Sequence, residues 1–169
     1  MTLELEVALL ADVDQLLDLR RRVARWLAAE GIDLWQLPLD RGRLASWIAR
    51  GGVLVHRDGD RIVGTVTVLD RDLETWGVDD TPAVYVHLLM VDRSRAGENL
   101  GTRILTQVEA MAREDGAHFV RLDAGSDLER LQQWYADRGY KVVTTRTLTD
   151  GKDTFDVTLR QKPLVPRSP

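Results

Sequence analysis

The chain has 169 residues, 44% of them hydrophobic and 30% charged, the balance of a soluble globular chain long enough to bury a core of its own. Its net charge of −4 offers no basic face for nucleic acid. The absence of cysteine excludes disulfides, thiolate zinc sites and a cysteine nucleophile.

Met1-Thr2-Leu3-Glu4-Leu5-Glu6 alternates apolar and acidic residues and is unlike a signal peptide. No apolar run of about 18 residues could span a membrane, so a cytoplasmic protein is expected. The alternation predicts a strand over residues 2–9. A helix should start at Ala11 or Asp12, with Val13, Leu16, Leu17, Val23, Ala24 and Leu27 at helical spacing up to Gly31. Residues 32–39 form an unusually apolar loop that contains Trp35. Asp40 is placed to cap a second helix with Leu44, Trp47 and Ile48 on one face, ending at Gly51-Gly52.

Two β-rich runs, 53–57 and 61–68, flank Asp58-Gly59 and predict a hairpin. A polar loop over 71–82 follows. Ala83 to Val91 is almost wholly apolar, as in a central strand covered on both faces. The next helix should run from about Glu98 to Asp115, burying Leu100, Ile104, Leu105, Val108, Met111 and Ala112, with Gly116 ending it. A short strand over 118–123 and a helix over about 127–138 follow. Residues 140–148 and 153–160 flank Asp150-Gly151 as a second hairpin. Residues 1–162 are expected to form one domain, and the proline-rich 163–169 a flexible tail. The order predicts an α+β sandwich with a mainly antiparallel sheet and a central βαβ unit.

The stretch 91–102, Val-Asp-Arg-Ser-Arg-Ala-Gly-Glu-Asn-Leu-Gly-Thr, carries a strand through a glycine-containing turn into an amphipathic helix. Such a turn and the helix N-terminus direct N–H groups at an anion, and Gly97 and Gly101 allow close approach. An ordinary βα loop would look the same from its residues alone. It is neither a Walker loop, lacking Gly-Lys-Ser/Thr, nor a G-x-G-x-x-G dinucleotide turn.

With Trp134-Tyr135-Ala136-Asp137-Arg138-Gly139-Tyr140, this loop and the order of elements resemble the GNAT family of acyl-CoA-dependent N-acetyltransferases over about residues 3–160. The resemblance implies a three-layer sandwich on a mixed, mainly antiparallel seven-stranded sheet, with acetyl-CoA as cofactor. It implies an acyltransferase that moves acetyl to a primary amine attacking directly in a ternary complex. On the family's Arg/Gln-x-x-Gly-x-Gly/Ala loop fall Ala96, Gly97, Glu98, Asn99, Leu100 and Gly101, followed by Thr102. Ala96 stands where the family has Arg or Gln, and Asn99 where it has Gly. Arg95 is the neighbour placed to supply the missing side chain, and Asn tolerates positive φ.

By the same resemblance, Leu89, Met90 and Val91 meet the pantetheine, and Tyr135 protonates the leaving thiolate. A phenol of pKa about 10 opposite a thiol of about 8.5 makes that transfer uphill but feasible. The implied cofactor contacts extend to Leu131 and Trp134. Leu128 stands where the family often carries Asn, and Tyr85 where it often carries a glutamate base. A period of two puts Tyr85, His87 and Leu89 on one face. His87 is then the candidate base, since imidazole titrates near neutrality, although a lone His in an apolar strand is commonly a core residue. His56 and His118 are too scattered to suggest a metal site. Trp26, Trp35 and Trp76, with Glu30, Asp33, Asp72, Glu74, Asp79 and Asp80, would suit a cationic amine, Trp35 foremost. Trp35, Tyr85 and His87 are thus the substrate-side candidates. The alternatives are a non-catalytic acyl-CoA sensor on the same fold and a nucleotide-phosphate-binding domain. No membrane or nucleic-acid partner is expected, and the chain is expected to be a monomer or homodimer.

Overall fold

The computed structural model describes residues 3–35 and 37–165. The strands are β1 (Glu6–Val7), β2 (Val53–Asp58), β3 (Arg61–Leu69), β4 (Ala83–Val91), β5 (Phe119–Gly125), β6 (Lys141–Asp150) and β7 (Asp153–Pro163). The helices are α1 (Val13–Ala29), α2 (Arg41–Ala49), α3 (Leu100–Glu114) and α4 (Glu129–Ala136). They build a seven-stranded sheet in the order β1-β2-β3-β4-β5-β7-β6. β4 and β5 run parallel, joined through α3, while β1–β2, β2–β3, β5–β7 and β6–β7 are antiparallel. The expected α+β class and mixed sheet are therefore present.

The chain separates into two compact units. One holds the described residues up to Val68 together with Leu88–Val108; the other holds Leu69–His87 together with the chain from Glu109 onward.

In the first unit the helical spacing of α1 buries Leu16, Leu19, Val23 and Leu27 against Leu44 and Ile48 of α2 and Val53, Val55 and Ile62 of the hairpin. Each such side chain contributes about 1.5–3 kcal/mol when fully buried. Asp40 caps α2 as expected, accepting the Arg43 N–H at 2.6 Å. Gly64 lets α3 lie close on β3: a Cβ there would stand 2.7 Å from Ile104 Cδ1 and 3.3 Å from Leu100 Cδ2. The absent side chain thus seats the first turn of α3, and with it the loop that precedes the helix.

In the second unit Trp76, Tyr85, Val157 and Leu159 form a core cluster. Tyr140 is fully buried, and its hydroxyl donates to Glu109 Oε1 at 2.8 Å. Lys162 Nζ donates to the other oxygen of that carboxylate at 2.7 Å. Gln132 of α4 donates to the carbonyls of Ala124 and Gly125 at 3.0 and 2.9 Å, tying α4 to the end of β5.

Three expectations change. The first strand is only Glu6–Val7; beyond it Ala8 N–H donates to Val53 at 2.9 Å, outside a regular ladder. The last strand reaches Pro163, and Leu164 is buried with its N–H on the His118 carbonyl at 2.8 Å, so the chain is held past residue 162. Of the tail expected to be flexible, residues 166–169 lie outside the described residues. Finally, Leu88 has φ 47°, in the left-handed region. A bulky residue there turns the strand, so the period of two does not carry from Tyr85 and His87 through to Leu89.

Candidate active site

The loop in the first unit begins at Asp92, which is buried at the end of β4. Its N–H donates to Val63 at 2.8 Å, and its Oδ1 accepts the Ser94 N–H at 3.0 Å. Its Oδ2 accepts from Arg22 at 2.9 Å and Arg61 at 2.7 Å. Burial raises this carboxyl, but the Ser94 N–H and the two guanidinium groups outweigh burial and hold it at about 2. Asp92 therefore anchors the loop as a permanent anion.

The chain next makes a short turn over Arg93–Arg95. Here the N–H groups of Arg95, Ala96 and Glu98 are consumed by the carbonyls of Asp92, Arg93 and Arg95. Gly97 (φ 87°) and Asn99 (φ 53°) both take the left-handed conformation and swing the backbone into α3. Asn99 thus does what the family's glycine would do. Its carbonyl accepts the Arg103 N–H at 3.0 Å, the first bond of the helix. Among the described residues, the N–H groups of Gly97, Asn99, Leu100 and Gly101 have no acceptor. A Cβ added at Gly97 would meet nothing within 4 Å, so the backbone there is open to a ligand. Orphan N–H groups at the positive end of a helix dipole fit a pyrophosphate.

The Arg95 guanidinium pairs with Asp58 at the hairpin tip and with Glu98 at 3.2 Å, which braces the loop. Ala96 and Glu98 are exposed, Leu100 is buried and Thr102 is half-buried. Met90 is buried in the core, which leaves its backbone alone for a cofactor, while Leu89 and Val91 are half-buried.

Trp35, the foremost substrate candidate, does not stand open. It packs against the core cluster, and the Arg20 guanidinium covers its ring at 4.4 Å. Arg20 also donates to the Trp35 carbonyl at 2.7 Å. The apolar content of its loop reflects core packing, and the tryptophan anchors that loop. Trp26 likewise carries the Arg93 guanidinium at 3.9 Å.

In the second unit the parallel ladder between β4 and β5 runs from Ala83↔Phe119 to Val86↔Leu122, although β4 continues to Val91 and β5 to Gly125. His87 and Asp123 are the next residues on the two strands. His87 is no ordinary core histidine. Its Nε2 lies 3.1 Å from Asp72 Oδ2 and its Nδ1 lies 3.9 Å from Asp123 Oδ1. Asp72 is buried, and its Oδ1 also accepts the Thr75 N–H at 3.0 Å. Burial raises Asp72, but the adjacent His87 ring and the Thr75 N–H prevail and hold its carboxyl below the ordinary range. Asp123 is raised, by burial first and then by the Asp72 charge, against the pull of His87.

Tyr135 is 8% exposed and edge-on to Trp134 (5.0 Å) and Tyr140 (5.8 Å). Its hydroxyl has no hydrogen-bond partner among the described residues. Burial, and then the Asp123 charge, push the phenol well above its ordinary range against a smaller opposing effect of Arg138, so it stays protonated. Trp134 is half-buried under the Arg138 guanidinium at 3.7 Å, and Leu131 is half-buried.

Tyr85, by contrast, belongs to the core. Its hydroxyl accepts from Arg121 at 3.0 Å, and its ring meets Trp76 at 5.9 Å. It shares the strand face expected of a substrate residue but is closed off by Arg121. Asp79 also goes to Arg121, at 2.8 Å. Of the acids named from sequence, Asp72 is the one that reaches the histidine. Asp123 was missed; the available signal was an acid ending an apolar strand, at the carboxyl end of a parallel pair where α/β proteins bind ligands.

Residues 20–140 match the model of the acetyltransferase (GNAT) family. The chain is 30% identical over 149 residues to a Bacillus subtilis (strain 168) protein named uncharacterized N-acetyltransferase YesJ, covering 80% of each chain. A GNAT-family acetyltransferase from Listeria monocytogenes 4b F2365 superposes with a TM-score of 0.76 at 24% identity, covering 96% of this chain and 95% of that one. The Salmonella typhimurium putative acetyltransferase yncA, solved with acetyl-CoA, superposes with a TM-score of 0.69 at 17% identity, covering 100% and 98%. The PaiA N-acetyltransferase of Thermoplasma acidophilum, solved with coenzyme A, gives a TM-score of 0.71 at 15% identity, covering 96% and 99%. Among the described residues, no helix is long and apolar enough to cross a membrane.

Proposed function

The chain belongs to the acetyltransferase (GNAT) family, and from that premise we propose that it transfers acetyl from acetyl-CoA to a primary amine that attacks directly in a ternary complex. The observation that carries the reading is the row of orphan N–H groups at Gly97, Asn99, Leu100 and Gly101, where a pyrophosphate fits without any cationic side chain. Acetyl-CoA supplies an activated acetyl thioester. Leu89 and Val91 offer backbone groups to the pantetheine arm beyond the end of the parallel ladder, and Leu131 and Trp134 flank Tyr135 on α4.

Asp72 Oδ2 stands 3.1 Å from His87 Nε2, and the His87 imidazole takes a proton from the amine. Tyr135, protonated at rest, donates its phenolic proton to the departing sulfur. The second proton lost by the nitrogen on amide formation restores the phenol by way of solvent. The chain has no cysteine to carry the acetyl group, in keeping with direct transfer.

Thermal shift with acetyl-CoA, CoA and ATP, followed by thiol release against an amine panel, tests this reading. Ligand at a hundredfold excess over Kd should stabilise by about 2.7 kcal/mol. No shift with millimolar acetyl-CoA would sink the cofactor assignment, and a shift without thiol release would favour a sensor.

A further inference from the structure

We propose that Asp72, His87 and Asp123 form a binding site for a divalent transition-metal cation of the zinc type, and that its occupation silences the His87 base. The site stands on the side-chain cluster alone; the silencing rests on the acetyl-transfer reading.

Each of the three side chains brings one ligand atom to a common place: a ring nitrogen and two carboxylate oxygens lie within 4.8 Å of one another. Asp72 Oδ2 stands 3.1 Å from His87 Nε2, and Asp123 Oδ1 stands 3.9 Å from His87 Nδ1. Ligand atoms bound to one zinc ion at about 2.0–2.1 Å in a tetrahedron are about 3.3 Å apart. The Asp72–His87 pair is close to that spacing, and Asp123 reaches it by rotation of its own side chain. Asp72 is nine-tenths buried, and its Oδ1 is held by the Thr75 N–H at 3.0 Å. Its Oδ2 has no hydrogen-bond partner among the described residues, because the contact with Nε2 lacks hydrogen-bond geometry. A buried carboxylate oxygen beside an imidazole nitrogen, with no hydrogen bond between them, is satisfied by a cation that the two share.

The charge pattern agrees. Other buried acids of the molecule have permanent cations: Asp92 has Arg22 and Arg61, Glu109 has Lys162, and Asp12 has Arg57. Asp72 and Asp123 have the His87 ring between them, and among the described residues no Lys or Arg pairs with either. A dication supplies the charge that this cluster lacks. The imidazole decides its class: nitrogen together with carboxylate suits Zn²⁺ and its neighbours, whereas Mg²⁺ and Ca²⁺ take oxygen ligands. The metal displaces any proton from the nitrogen it binds, so the assignment holds for either protonation state of the ring. A neutral ring with one nitrogen on a metal carries its proton on the other. It then has no lone pair for the amine's proton, and the base is silent.

Calorimetric titration of the metal-free protein with Zn²⁺ and with Mg²⁺ tests the site in wild type, Asp72→Asn and Asp123→Asn. Asp72→Asn keeps an oxygen for the Thr75 N–H and loses the charge. Wild type should bind one Zn²⁺ per chain at micromolar Kd or tighter and gain melting temperature, with Mg²⁺ at least about a hundredfold weaker. Each folded variant should lose about a hundredfold or more in Zn²⁺ affinity, beyond the ten- to hundredfold typical of losing an outer partner. Asp123→Glu, which keeps a carboxylate, should retain more affinity than Asp123→Asn. The site is overturned by wild type without saturable Zn²⁺ binding, by undiminished binding in either folded Asn variant, or by equal affinity for Mg²⁺. Acetyl-CoA consumption with an amine panel should fall as Zn²⁺ saturates the site, at the calorimetric Kd, and return with EDTA. Full turnover by the zinc-loaded protein overturns the silencing. A metal-free protein that consumes no acetyl-CoA refutes the transfer reading and the silencing with it, while the calorimetry still decides the site.

Discussion

The proposed pyrophosphate loop over residues 95–102 and the proposed base site around His87 are built by different means. The loop is made of backbone. Its donors are main-chain N–H groups, and its side chains brace it, with Arg95 held by Asp58 and Glu98. The histidine site is made of side chains, with Asp72 and Asp123 on either side of one ring. A backbone site tolerates side-chain change as long as φ is preserved. A side-chain site tolerates little, because each atom carries a charge or a proton. This explains how Ala96 and Asn99 can depart from the family pattern in a loop that keeps its shape.

The comparison can be broken first at the histidine. His87→Gln, which keeps a polar side chain but no base, should lower kcat by about a hundred- to ten-thousandfold, the range of acid–base catalysis, with acetyl-CoA Kd unchanged. Steady-state kinetics beside calorimetry check this; a loss confined to KM would remove the base role. Tyr135→Phe should lower kcat by roughly ten- to a thousandfold, again with little change in cofactor Kd. Unchanged turnover would show that the thiolate leaves without help from this phenol.

The loop should respond in the opposite sense. Asn99→Val forces a β-branched residue into φ 53°, at a cost of about 1–2 kcal/mol. Acetyl-CoA Kd should rise about tenfold, since 1.4 kcal/mol is a factor of ten, while kcat at saturating cofactor stays near wild type. Asn99→Gly should retain wild-type affinity. A large kcat loss in Asn99→Val would mean that the loop does more than bind.

The smallest effect concerns the anchor of the loop. The folded-state pKa of Asp92 is depressed from 3.8 to about 2. The stability it contributes is therefore complete above about pH 4 and is lost as pH falls toward 2. Melting temperature measured across that window should fall more steeply in wild type than in Asp92→Asn, which is less stable at neutral pH but lacks this titration. Parallel acid limbs would remove Asp92 as a linked group.

Most elements were legible because their signals are local. The stripe of α1, the Asp40 cap, both hairpins and the apolar run of β4 each follow from periodicity or turn chemistry within a few residues. The loop was legible for the same reason, and Asn99 takes the left-handed conformation its residue type allows. The contacts of Trp35, Tyr85 and Arg95 were not legible because their partners are distant in sequence: Arg20 on Trp35, Arg121 on Tyr85 and Asp58 on Arg95. Nothing near a residue in the chain announces a cation that will later close over it.

By itself, then, the sequence determined the order and type of the elements, the absence of thiol chemistry and the turn into α3, since these depend on propensity, composition and short-range sterics. Tertiary structure alone decided which acids meet His87. Asp72 comes from a loop and Asp123 from the end of a strand, and their distances to one ring follow from where β4 and β5 stop pairing. A proton-transfer site depends on ångström-scale separations between side chains far apart in the chain, and such separations exist only once the sheet has formed.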